Sequence, residues 1–415
     1  MTLPLRTLPI VERWDCHGCG TCCRGTIVNL NPDDVARLRE QRWEDHSDYR
    51  GQKIVVRHGL LRPQYTLAKR ADGSCIFLTS DGLCRIHKEH GFSAKPLVCQ
   101  MFPLQVVPVD RFAYVTLRRF CPSAAGAQGR PLEEHRDAAR DLVERWQQAS
   151  RPSPPPRVVR GHRSDWSDVL HVTDALTRLT LDGRYPLVRR LAHGLAFCSL
   201  LADCRLNRVE RSELPELIGV LEKGAVREAA DLFANRLPPS RRTGILFRQA
   251  VFEHLRLHPL LVTDTSWRAR LRLAADAGAF YRGSGDVPYS GLPFPPTTFE
   301  ALDRPLGPLP SDVAEPIDAF FEAAAASLRY ALLGHSRWSI VESYRALALA
   351  HPAALWTLRF ACGERPPTHD EAIRVVQMLD RAQTYAPMAG LRHRFRVAAI
   401  AVREELGRLV AWWGR

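Results

Sequence analysis

Four cysteines fall within eight residues, in the run Asp15-Cys16-His17-Gly18-Cys19-Gly20-Thr21-Cys22-Cys23. Side-chain packing gives no reason to crowd thiols in this way, whereas a metal does. Two thiols separated by two residues reach one metal where the chain doubles back. Gly18 and Gly20 ease that turn, because glycine tolerates positive φ. Three thiols in such a run resemble the nest that holds a cubane cluster, with a fourth ligand supplied from elsewhere. Cys22 and Cys23 are adjacent, so their side chains are expected to diverge. One would then serve a second metal or remain a spare thiol.

The chain holds 11 cysteines. Beyond Cys16, Cys19, Cys22 and Cys23, the N-terminal part carries Cys75 and Cys84 on either side of an Asp81-Gly82 turn signal, Cys99 between Pro96 and Pro103, and Cys121 before Pro122. All eight are candidate metal ligands. They suffice for two tetrathiolate sites, or for one four-cysteine cluster beside a mixed site, with His17 and His87 near enough in sequence to contribute. Zinc is the rival metal, since paired two-residue knuckles normally bind it. Ligands clustered first and dispersed later lean towards iron–sulfur, with 4Fe-4S the expected cluster. Cys198, Cys204 and Cys362 lie on apolar helical faces and read as small hydrophobes.

Residues 1 to 12 show neither a long apolar core nor a small-residue cleavage site, and no apolar stretch approaches ~20 residues. A cytoplasmic protein with no membrane partner is expected. Its reducing surroundings disfavour structural disulfides and turn a dense cysteine set towards metal or redox chemistry. The net charge of +13 is spread thinly and accompanies no nucleic-acid-binding module, so no nucleic-acid partner is expected.

The 415 residues divide by pattern. Residues 1–125 read as a small cysteine-rich α+β metal-binding module. Asn31-Pro32-Asp33-Asp34 starts a helix running to about Trp43. Strands are expected over 53–57, 64–68 and 75–78, with Leu83 to Ile86 following the turn as the second arm of a hairpin. A further hairpin is expected over 104–109 and 112–117. Residues 126–160 supply a helix, 132–149, and a Pro-rich linker around 151–156. Residues 161–415 form a mostly helical domain, with helical spacing over 165–182, 184–204, 213–235, 241–257, 266–281, 311–333, 338–349, 352–361, 369–382 and 388–413. Ser311 and Thr368 are expected helix caps. Gly283 to Pro310 reads as a long loop that could serve as a lid or binding loop. The fold class is therefore mainly α, a small α+β module followed by a helical domain. Tyr330, Arg337, Trp338 and Tyr344 either line a pocket between the two parts or pack in the core. His193 and His254 read as core histidines, and Trp412-Trp413 as a docking cap.

The Cys16–Cys23 run, the stretch from Cys75 through Cys84-Arg85-Ile86-His87, and Cys99-Gln100-Met101-Phe102-Pro103 together resemble the YkgJ-type cysteine-cluster family, a zinc- or iron-chelating family related to flagellin lysine-N-methylases. The resemblance covers residues 14–121. Through the methylases it implies S-adenosylmethionine-dependent methyl transfer to lysines of a protein substrate, with an iron–sulfur cluster and the eight cysteines as its ligands. The alternatives are a non-catalytic metal-binding or redox-sensing protein, and a zinc protein whose metal is structural. The sequence has no strand-linked glycine-rich loop of the adenosylmethionine-binding kind, and no P-loop, Gly-x-Ser-x-Gly elbow or His-Glu-x-x-His motif.

Overall fold

The computed structural model describes residues 3–24, 26–59, 63–149, 154–235, 237–256, 266–288, 294–333, 338–383 and 390–414. The N-terminal part begins with strand β1 (Leu5–Arg6), β2 (Asn29–Leu30) and helix α1 (Pro32–Glu40). Asn31 and Asp34 cap α1 reciprocally, each side chain accepting the other's backbone N–H, which satisfies two otherwise orphaned donors. The helix stops at Glu40, short of Trp43, which instead sits buried in a 3-10 turn. Strands β3 (Val55–His58) and β4 (Gln64–Leu67) pair antiparallel, and β2 joins the other edge of β4.

Residues 75–78 do not form the expected strand. Only isolated bridges occur there, Lys69 to Cys75 and Leu78 to Cys84. Residues 85–86 are helical, because α2 (Arg85–His90) starts immediately after Cys84. The apolar run is short because Ile76, Phe77 and Leu78 are buried together, as plugs in a turn. A buried turn and a buried strand carry the same apolar signature. Helix α3 (Leu97–Met101) precedes the hairpin of β5 (Leu104–Val109) and β6 (Phe112–Leu117), whose bounds match the expectation. β1 adds to β6 in parallel, giving the order β1-β6-β5. Helix α4 (Pro122–Ala125) starts after Cys121, and α5 (Arg136–Ala149) packs Ala139, Leu142 and Val143 against Leu97, Leu104 and Leu117. Residues 151–153 of the expected linker lie outside the described residues.

From residue 166 onward the described elements are helices: α6 (Trp166–Leu181), α7 (Leu187–Asp203), α8 (Leu214–Glu228), α9 (Ala230–Asn235), α10 (Arg241–Leu255), α11 (Trp267–Arg282), α12 (Phe299–Leu302), α13 (Ser311–Ala326), α14 (Arg329–Leu332), α15 (Ile340–Cys362), α16 (His369–Gln383), α17 (Leu391–Ile400) and α18 (Glu405–Trp413). Helix α15 is buried on all sides, as expected of a central helix. It runs unbroken through Pro352, where two helices were expected. The surrounding packing holds the backbone helical despite the missing N–H. Conversely, 311–333 and 388–413 are each split, at Leu328 and at Arg403-Glu404, which adopt positive φ. Thr368 caps as expected. Ser311 does not, because the α13 cap position falls on Pro310. The described parts of 283–310 are no free lid: Val287, Phe294, Phe299 and Leu302 are buried in the helical core. Cys198 and Cys362 are buried too. Tyr344 passes Gly194 at a distance that a Cβ would occupy and meets Thr180 Oγ1 at 2.8 Å. Trp413 packs on Phe247. Arg337 lies outside the described residues.

The two parts are joined by a buried carboxylate. Asp380 of α16 accepts from Arg118 Nε at 2.8 Å, from the Phe120 backbone N–H at 3.2 Å and from Arg329 Nη1 at 2.9 Å. Burial opposes its ionisation, but the Arg118 and Arg329 guanidiniums win and hold the carboxyl below its ordinary range. Asp380→Asn is expected to cost about 3–5 kcal/mol at neutral pH, because it leaves buried guanidiniums uncompensated. A depressed carboxyl contributes stability that is present above pH ~4 and is lost as pH falls through its folded value. Urea unfolding of both proteins should therefore give a large difference at pH 7 and a smaller one near pH ~3; equal differences would refute the ionised clamp.

Candidate metal centre

The cysteine run folds as two turns. Gly18 and Gly20 have φ of 63° and 68°, and Thr21–Cys23 form a single 3-10 turn. These glycines abut the second thiol loop. A Cβ on Gly20 would stand 3.0 Å from the carbonyl oxygen of Gly82, and one on Gly82 would stand 3.3 Å from that of Gly18. The loops are also tied by the Cys75 N–H, which donates to Cys23 O at 2.7 Å, and by a bridge between Arg24 and Ser74. The sequence thus brings Cys22 and Cys23 against Cys75 and Cys84 by glycine contact and one short backbone bond.

Cys99 comes from α3, Cys84 immediately precedes α2, and Cys121 immediately precedes α4. Cys75 belongs to the small core around Trp43, Phe77 and Ile86, with Cys23, Cys84 and Cys99 packed on its edge. Cys121 belongs to the adjacent core of Leu97, Leu104 and Leu117. The thiols therefore line the seam between two small cores.

Electrostatics report which thiols sense one another. Burial pushes the Cys75 thiol up to about 11, with Cys84 and Cys22 adding to the rise. Cys99 is raised by burial and further by Cys75, Cys84 and Cys22. Burial likewise takes Cys121 to about 11, and its thiol neighbours are Cys19 and Cys22. Cys22 itself is raised first by its contact with Cys23 and then by burial, while Lys95 acts in the opposite sense. Cys22 is common to every one of these sets. Cys16 and Cys19 are exposed, and Cys19 Sγ donates to Thr21 Oγ1 at 3.4 Å. His17 is exposed, and the exposed His87 ring packs on Phe92 at 5.8 Å, turned to an aromatic neighbour.

Cys22 and Cys23 do not diverge. Their Sγ atoms are 4.0 Å apart, close to the ~3.8 Å edge of a tetrahedron with metal–sulfur bonds of ~2.3 Å. The 3-10 turn accounts for this, since it curls the chain more tightly than an extended dipeptide would. The donor set fits a thiophilic cation. Thiolates packed against one another in a buried seam repel, and a metal reverses that penalty by replacing their protons. Among the described residues no three His, Cys, Asp or Glu side chains stand in a metal-holding arrangement, so coordination requires the sulfurs to turn about their Cα–Cβ bonds onto a common point.

Asp15 anchors the start of the run. Arg130 donates to it through Nε, Nη2 and its backbone N–H, at 2.8–3.2 Å, and hydrogen bonding to Arg130 lowers the carboxyl to about 2. The Asp15–Arg130 pair and the approach of Lys95 to Cys22 carry no signal in the sequence, because each joins distant stretches of chain.

The clustered thiols mark a cysteine-cluster metal-binding module. Residues 15–122 match the family described as "Putative zinc- or iron-chelating domain". An uncharacterized protein of Methanocaldococcus jannaschii is 28% identical over 111 residues, which cover 26% of this chain and 36% of that protein. The chain thus matches about a third of that relative's length. No solved structure matches. Neither the family nor the relative supports methyl transfer. Among the described residues, no helix is long and apolar enough to cross a membrane.

The glycine contact can be tested against a matched control. Gly20 and Gly51 both have positive φ, but a Cβ on Gly51 would meet nothing within 4 Å. Both alanine substitutions should cost about 1 kcal/mol for the left-handed backbone. Only Gly20→Ala should also lower the metal content of the purified protein, read by elemental analysis. Equal metal in the two variants would show that the loop contact does not position the thiols.

Proposed function

We propose that residues 15–122 hold a thiolate-ligated iron–sulfur centre. The carrying observation is that the Cys22 and Cys23 sulfurs stand 4.0 Å apart, the Cys75 N–H binds Cys23 O at 2.7 Å, and Cys23, Cys84 and Cys99 pack on the small core that holds Cys75. Cys16, Cys19 and Cys121 complete the candidate ligand set. Thiols clustered in one run and then dispersed along the chain favour an iron–sulfur cluster. Zinc is the alternative, with the same cysteines as ligands. When bound, an iron–sulfur cluster supplies one-electron chemistry at a potential set by burial and by hydrogen bonds to sulfur. The chain's own contributions are defined by the residues. Lys95 offsets negative charge at Cys22 and Cys99, the Phe77 core excludes water from Cys75, and the Asp380 clamp fixes the segment bearing Cys121. The centre is then rigidly docked on the helical domain, which suits a redox-sensing or redox-active role for the whole chain.

Anaerobically purified protein should be brown, with comparable iron and acid-labile sulfide. Cys22→Ser and Cys75→Ser should each lose most of the metal, while Cys198→Ser, buried among helices far along the chain, should keep it. A colourless protein with stoichiometric zinc would replace the iron–sulfur reading with the zinc one. Unchanged metal in Cys22→Ser would remove both.

A further inference from the structure

A second concentration of polar groups lies inside the molecule, where β5 meets the helices. A cavity there is lined by Gln105 of β5, His254 of α10, Arg329 and Tyr330 of α14, Ser343 of α15 and His393 of α17. About 40 Å³ of it is open to the centre of a water molecule. Arg329, Tyr330 and Ser343 are 5%, 5% and 1% exposed. Arg329 uses Nη1 for Asp380 Oδ1 and for Leu117 O, and its guanidinium carbon lies 4.8 Å from the centre of the Phe320 ring. Its Nε and Nη2 are buried and have no hydrogen-bond partner, and the same holds for Tyr330 Oη and Ser343 Oγ.

Those four atoms have a specific chemistry. Nε and Nη2 form one edge of the guanidinium, the planar fork that matches a carboxylate with two parallel hydrogen bonds. The tyrosine and serine hydroxyls of residues lining the same cavity can donate to a carboxylate there. Buried polar groups are nearly always paired, so four orphans around one cavity call for an occupant. A space of this size holds two or three waters at ~10–15 Å³ each, or one carboxylate group. Water would satisfy the hydrogen bonds but not the charge. Arg329 is held against Asp380 with the Arg118 and Arg119 guanidiniums nearby, and their positive charge adds to the penalty on its own cation. Burial already penalises the Arg329 cation, and a bound anion would relieve that penalty.

We propose that this cavity binds a small monocarboxylate of about the size of acetate, gripped two-pronged by Nε and Nη2 of Arg329 with Tyr330 and Ser343 donating to the same group. The site is separate from the thiols and does not depend on which metal they hold. It couples to them through Asp380, whose carboxylate binds both Arg329 and the segment that carries Cys121, and through the bond from Arg329 to Leu117 O.

The test is equilibrium dialysis of the full-length protein against radiolabelled acetate, at constant ionic strength set with chloride and with overnight equilibration to allow for the buried site. Saturable binding of one acetate per chain is expected. Tyr330→Phe and Ser343→Ala remove one hydroxyl each, leave the Asp380 clamp intact, and should each weaken binding about tenfold. Arg329→Lys retains the charge but not the fork and should weaken it further. Absence of saturable binding, or equal binding by the wild type and both hydroxyl variants, would overturn the proposal and leave the cavity to water. Displacement of acetate by an equal concentration of phosphate would overturn the carboxylate assignment in favour of a general oxyanion site.

Discussion

The Asp380 carboxylate is the charge about which the two parts of the chain are organised. A carboxylate removed from water costs several kcal/mol unless its lone pairs are filled by donors, preferably charged ones. Here they are filled from three directions: Arg118 and the Phe120 backbone from the end of β6, and Arg329 from α14. Gln377, one turn earlier on α16, adds a bond to Phe120 O at 3.0 Å. The donors come from two pieces of chain, the segment after β6 and α14. The carboxylate cannot be satisfied unless the hairpin, α14 and α16 are all in place, so one residue makes the docking of module on helices cooperative. A neighbouring buried trio, Glu12 with Arg119 and Thr116, ties the N-terminal segment to β6 in the same way.

Cys121 follows that segment directly. Its position is therefore set by the helices, whereas Cys22, Cys23, Cys75 and Cys84 are set by glycine turns packed against each other. A centre drawing on both sets would have its ligand geometry divided between a local device and a long-range one. The local device needs little core, because positive-φ glycines and one bond between Cys75 N–H and Cys23 O already fix the two loops. The long-range device needs the large helical core beneath it.

What was legible in the sequence follows the same division. The reciprocal cap of Asn31 and Asp34, the hairpin around Asp110-Arg111 and the apolar faces of α6 through α11 all depend on residues close together in the chain, and each is written in local pattern. The thiols were legible as a set, because the type and spacing of cysteines needs no tertiary context. What could not be read was decided at a distance. Ile76-Phe77-Leu78 looks like a strand until Trp43 and Tyr49 are known to receive Phe77. Pro352 looks like a helix end until its surroundings hold the helix together. Leu328, with φ of 57°, has no side-chain signal for the break it makes. The closeness of Cys22 and Cys23 is hidden for a related reason: the divergence of neighbouring side chains holds for extended backbone, and a 3-10 turn brings them to one side.

The same reasoning explains why Arg329 was invisible. An arginine in an apolar helical pattern usually extends its stem along the surface and keeps its charge in water. Arg329 is instead fully enclosed, between Phe320, Asp380 and the internal cavity, and only the tertiary structure separates the two cases. Enclosure turns an ordinary residue into a directional group. One nitrogen, Nη1, spends its hydrogen bonds on Asp380 and Leu117 and so locks the guanidinium plane, which leaves the opposite edge pre-aimed with no rotamer freedom to lose on binding. The clamp that docks the module therefore also orients the fork of the cavity, and a change in either would be felt by the other through the Asp380 carboxylate and the Leu117 carbonyl.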